Sequence, residues 1–149
     1  MLMFVAYVLV CYYPQFLAVT FLVVYLRTQM PAKGMFLVRA LTALVVATFL
    51  AHVNRIFGFW HAHLLFPSGH TTFCAGLSWS LAMLRPWSAV WTLPLVAAMG
   101  VALVARHDHE TIDVLGAVPL VLVVYGLIHA YWKLPRASAR PLDSPVVSP

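Results

Sequence analysis

Residues 2–26 read LMFVAYVLVCYYPQFLAVTFLVVYL, a stretch of 25 residues without a charge. As an α-helix it would be about 37 Å long, more than the roughly 30 Å of hydrocarbon in a bilayer. Arg27 ends it, and the following residues to Gly34 carry charge, Pro31 and glycine, the signature of a short loop. Working outward, further apolar runs cover about 35–53, 71–84, 87–105 and 112–132. The polar breaks between them are the 54–67 segment, Arg85-Pro86 and Arg106-His107-Asp108-His109-Glu110. The expected fold is all-α: an integral membrane bundle of about five transmembrane helices. Residues 1–132 form its single domain. Residues 133–149, basic and rich in Pro and Ser, form a tail expected to be disordered and cytoplasmic.

Composition supports this reading. Of 149 residues, 63% are hydrophobic and 9% charged, against roughly 25% charged in soluble domains. The net charge of +5 comes from basic residues scattered between apolar runs. They form no basic face with interleaved aromatics, so nucleic acid is not an expected partner. Cys11 and Cys74 each lie inside an apolar run, outside any C-x-x-C pair, and read as buried thiols. The N-terminus has no basic segment ahead of its apolar run, so the first helix is expected to be a retained anchor.

The basic residues set the expected orientation. Arg27, Lys33 and Arg39 flank the first loop, Arg85 lies in the third, and Lys133, Arg136 and Arg140 lie in the tail. With five crossings these regions share one side, expected to be cytoplasmic. The 54–67 and 106–110 segments then meet on the other side. In a bacterium that is the periplasmic face of the inner membrane; in a eukaryote it is lumenal or extracellular.

Both of those segments carry candidate chemistry. Pro67-Ser68-Gly69-His70-Thr71-Thr72 precedes a helix. Gly69 permits close backbone approach, and Ser68 is a natural N-cap. The free amides of a first helical turn attract an anion, with His70 beside it as a titratable group. The plain alternative is an ordinary turn with an interfacial histidine. In the second segment, a helical spacing would put His109 and Asp113 on one face. A carboxylate beside an imidazole fixes its tautomer and strengthens it as a nucleophile. The plain alternative is an acidic residue favouring a helix N-terminus. Arg106 and Arg55, on the same side, are candidate phosphate ligands. Together these are the parts phosphoryl transfer needs: a nucleophile, an acid for the leaving group and cations for the oxygens.

Pro67-Ser68-Gly69-His70-Thr71-Thr72-Phe73, followed by His109, three residues, Asp113-Val114, resembles the type-2 phosphatidic acid phosphatase superfamily. The resemblance covers about residues 66–116. It implies a helical membrane enzyme that cleaves phosphomonoesters or diphosphates without metal or cofactor. By that resemblance His109 is the nucleophile that forms a phosphohistidine, Asp113 orients it, and His70 protonates the leaving oxygen. Ser68 and Gly69 would hold phosphate oxygens. The family's first motif, Lys, six residues, Arg-Pro, has no counterpart ahead of Pro67, and the chain has one apolar run fewer than the usual six helices. His109-Glu110-Thr111-Ile112-Asp113-Val114 is also similar to the pattern of the sphingomyelin-synthase branch, which transfers a phospho-headgroup to a lipid alcohol.

The expected function is therefore hydrolysis of a lipid phosphate or diphosphate. A lipid phosphotransferase and an inactive binder of anionic lipid are the alternatives. Neither His61-x-His63 nor His107-x-His109 brings the three or four converging ligands of a metal site, and none is expected. His129, deep within the last run, lacks the partner a haem site would need.

Overall fold

The computed structural model describes residues 2–30, 32–57 and 67–133. Arg55 and Lys133 lie within its helices, but their side chains fall outside the described set. So do the 58–66 part of the expected interfacial segment and the 134–149 part of the tail.

The described residues form five helices and no strands. They are α1 (Leu2–Arg27), α2 (Lys33–Phe57), α3 (Gly69–Leu84), α4 (Ala89–Ala105) and α5 (Thr111–Lys133). A 3-10 turn, Pro86–Ser88, leads into α4, where Pro86 supplies the fixed φ that suits a helix start. Four of the helices are long and apolar enough to cross a membrane: α1, α2, α4 with its leading turn, and α5. Pro14, Pro94 and Pro119 sit inside three of them. Such prolines are tolerated in membrane helices, because neighbours re-satisfy the freed backbone groups.

The polarity of the bundle is inverted relative to a water-soluble protein. Val90 is 78% exposed, whereas Thr92, two residues on, is fully buried. Phe4, Phe49, Leu115 and Tyr131 also face outward, while Ser68, Thr71, Thr72, Ser78 and Ser80 are inside. In a lipid solvent apolar side chains lose nothing by facing out, and hydroxyls gain by meeting partners within the bundle.

The shortest helix, α3, occupies the middle. It packs on α1, α2, α4 and α5, whereas the backbones of α1 and α5 do not approach each other. Its 16 residues span only about 24 Å, and its neighbours cover most of it. Small residues make the close packing possible. At Gly76 a Cβ would meet Leu44 Cδ1 at 2.9 Å and the Tyr125 hydroxyl at 3.3 Å. That hydroxyl donates to the Gly76 carbonyl at 2.9 Å and lies 2.9 Å from Ser80 Oγ. On the other flank Tyr13 donates to the Thr92 carbonyl at 3.0 Å, joining α1 to α4.

The up-and-down course collects the helix ends into two groups. At one end Tyr7 of α1 lies under Arg106, His52 of α2 touches Gly69 of α3, and Ser68 bonds to the first turn of α5. At the other, Lys33 donates to the Leu26 carbonyl, and Arg39 of α2 lies over Trp132 of α5. Pro67-Ser68-Gly69-His70 and the 106–110 segment thus share one end, as the crossing count requires. Among the described side chains that end also holds Asp108, Glu110 and Asp113. The opposite end holds Arg27, Lys33, Arg39 and Arg85.

Two measurements test this architecture. Cysteines introduced at Gln29 and Trp87 should label with a membrane-impermeant maleimide from one side of a sealed vesicle, and one at Asp108 from the other. Common-side labelling would refute the five-pass arrangement. Tyr125→Phe should lower stability in detergent by about 0.6–2 kcal/mol, seen as a reduced midpoint of thermal unfolding.

Candidate active site

Ser68 is fully buried and is the N-cap of α3. Its Oγ accepts from the Thr71 amide at 3.3 Å and lies 3.2 Å from Thr71 Oγ1. Its carbonyl takes both the amide and the hydroxyl of Thr72, at 2.9 and 2.8 Å. These bonds use the capping chemistry expected of Ser, and they occupy the Ser68 side chain within the turn. The Ser68 amide then donates to the Asp113 carbonyl at 2.8 Å. One backbone hydrogen bond therefore joins the Pro-Ser-Gly-His turn directly to the His109–Asp113 segment.

That segment is built by the end of α4. The Asp108 amide bonds to the Leu103 carbonyl at 3.1 Å, and the His107 amide to the Val104 carbonyl at 3.0 Å. This is a Schellman cap, with His107 at the left-handed position, φ 60°. The reversal brings His109 in front of α5 rather than inside it. His109 is thus not on a helical face with Asp113, as the spacing alone suggested. The two meet because Asp113 reaches back. Its Oδ2 accepts the Glu110 amide at 2.9 Å and stands 3.6 Å from His109 Nδ1. Both readings of Asp113 hold together: it caps α5, and it faces the histidine. The side chains of His109 and Asp113 are 11% and 4% exposed. His109 Nδ1 and Asp113 Oδ1 are buried with no hydrogen-bond partner among the described residues. A shift of about 0.6 Å would turn the contact into a hydrogen bond.

His70 is exposed at the rim, in the first turn of α3. His109, Asp108 and His52 all lie close enough for their charges to act on its imidazole. Arg106, at the end of α4, is held by Asp108, Nε to Oδ2 at 2.8 Å, and lies 5.7 Å from the centre of the Tyr7 ring. It borders the histidines but is already paired. Arg55 belongs to the last turns of α2, at the same end of the bundle.

His52, which belongs to neither motif, joins the cluster from α2. Its Nδ1 is 2.7 Å from the Thr48 carbonyl. A carbonyl only accepts, so Nδ1 carries the proton and Nε2 is left with its lone pair. A Cβ on Gly69 would lie 2.5 Å from His52 Cε1 and 2.9 Å from Nε2. A side chain at Gly69 would therefore have to displace the His52 ring. The crossing count could have found His52: it ends the second run, on the side where Pro67-Ser68-Gly69-His70 begins. Among the described residues, no three His, Cys, Asp or Glu side chains converge as a metal site. His61 and His63 lie outside those residues.

No protein-family model, curated protein or solved structure matches this chain.

The Gly69–His52 contact has a direct test. Gly69→Ala should push the pinned His52 ring off Thr48 and lower stability by about 1 kcal/mol. Adding His52→Ala should return most of that loss in thermal unfolding of the double variant. An uncompensated double variant would mean that Gly69 is needed for some other reason.

Proposed function

We propose that this protein is a metal-independent membrane phosphatase that hydrolyses a lipid phosphate or diphosphate through a phosphohistidine intermediate. The observation that carries the reading is the Ser68 amide to Asp113 carbonyl hydrogen bond. It sets the start of α3 beside the His109–Asp113 pair.

His109 Nδ1 faces Asp113, so Nε2 on the far side of the ring is the nucleophile. Nε2 attacks phosphorus, the N–P bond forms and the P–O bond to the lipid breaks. Protonated His70 gives its proton to the departing alkoxide, and Asp113 stabilises the positive charge on His109. Water then attacks phosphorus, giving its proton to His70. The N–P bond breaks and releases phosphate. First-turn amides of α3 supply donors for the phosphate oxygens. Arg106, released from Asp108, and Arg55 are the candidate cations.

A lipid substrate is favoured by an apolar groove of about 340 Å³ on α2 and α3, lined by Leu44, Val45, Phe49 and Phe73 and reaching His52. The same groove favours a second reading, transfer of a phospho-headgroup to a lipid alcohol, since it offers a dry path for an acceptor. A catalytically inactive binder of anionic lipid is the third. By the positive-inside rule the cation-rich end is cytoplasmic. The site then faces the periplasm of a bacterial inner membrane, or the lumenal or extracellular side in a eukaryote.

Proteoliposomes given phosphatidic acid, diacylglycerol pyrophosphate or an isoprenyl diphosphate should release phosphate. His109→Ala should lower the rate by about 10³-fold or more, and His70→Ala by on the order of 10²–10⁴-fold. Appearance of the phosphate on added diacylglycerol instead of in water would select transfer. Equal rates for native protein and His109→Ala would leave only the binder.

A further inference from the structure

At the opposite end of the bundle, a cavity of about 520 Å³ lies between α2, α3 and α5. Its volume is within the range of small-molecule sites. The exposed residues Trp79, Met83 and Leu122 are part of its lining, so it opens on the lipid-facing perimeter. Its hollow comes from small residues: Ala40 and Ala43 on α2 and Gly126 on α5. A Cβ on Gly126 would meet nothing within 4 Å.

The cavity is apolar except near one end, where Arg39 and His129 line it. Arg39 is about 9 Å along α2 from its first residue, within snorkelling reach of the headgroup region. Its guanidinium lies 5.4 Å from the centre of the Trp132 ring, and its buried Nε has no hydrogen-bond partner among the described residues. All three acids within residues 1–133 are at the far end of the bundle. Lys33, the nearby cation, is already bonded to the Leu26 carbonyl and lies over Tyr25. A half-buried, permanently charged group beside an apolar slot open to lipid is complementary to an amphiphile with an anionic head. Basic pockets between membrane helices bind such headgroups.

We propose that this cavity binds one anionic membrane lipid, its acyl chain in the apolar slot and its phosphate on Arg39. The site is separate from the histidine cluster and does not depend on the catalytic reading. The small hollow holds the chain, and the Arg39 fork gives the headgroup its donors.

Native mass spectrometry of the full-length protein in detergent, titrated with phosphatidylglycerol or phosphatidylcholine, tests this. The native protein should retain one phosphatidylglycerol at about fivefold or greater preference. Arg39→Gln should abolish the preference and Arg39→Lys should keep it. Gly126→Leu, which fills open space and favours the helix, should weaken retention of both lipids. His109→Ala should leave the retained lipid unchanged, which separates this site from the catalytic one. Preference surviving Arg39→Gln, or retention indifferent to Gly126→Leu, overturns the proposal. So does inorganic phosphate displacing the lipid's advantage at equal concentration. A dimer that Gly126→Leu dissociates, with no lipid retained, would assign the cavity to a second copy and overturn it as well.

Discussion

The Ser68 amide donates to the Asp113 carbonyl across 2.8 Å, and much of the histidine-bearing end depends on that bond. Ser68 is buried and already caps α3 with its hydroxyl. Its amide, left over by the cap, would be unsatisfied at this fully buried position. The first turn of α5 supplies the acceptor. Two helix starts are thereby held side by side. The same turn places Asp113 Oδ2 between the Glu110 amide and His109. Backbone accounting at a membrane boundary thus produces the arrangement that chemistry can use.

The middle of the bundle follows from the same solvent. Between helices in lipid there is no hydrophobic gain from association, so small residues and hydroxyls do the joining. In α3 these are Gly76 and Ser80, both buried. The Gly76 carbonyl, Ser80 and Tyr125 form a closed set of polar contacts at 2.9–3.0 Å. A helix so lined can be shorter than the bilayer is thick, because four longer neighbours shield it.

The ends of the bundle divide the labour of charge. The acids and His52, His70 and His109 gather at one end, and Arg27, Lys33, Arg39 and Arg85 at the other. Two of the cations have evident partners: Arg106 with Asp108, Lys33 with a carbonyl. Arg39 is half-buried over the Trp132 ring, and its Nε has no hydrogen-bond partner among the described residues. It lines a cavity whose hollow small residues create.

The helices were legible because lipid imposes a simple rule on sequence: about twenty apolar residues per crossing, charges at the ends. Residues 2–26 announced α1 to within a residue, and Ser68 announced the cap of α3. Counting crossings also placed His70 and His109 at one end. Other features were not legible, since they depend on contacts between residues far apart in the chain. His107 gives no sign of the left-handed turn that puts His109 ahead of α5. Nothing near Gly69 names His52, which arrives from α2. Arg106 reads as a phosphate ligand until Asp108 is seen to hold it. The sequence by itself determined the helical class, the apolar runs and which histidines share an end, because each depends on local runs. Only the tertiary structure decided which groups touch and which remain unpaired, because side-chain pairing is settled by packing between helices.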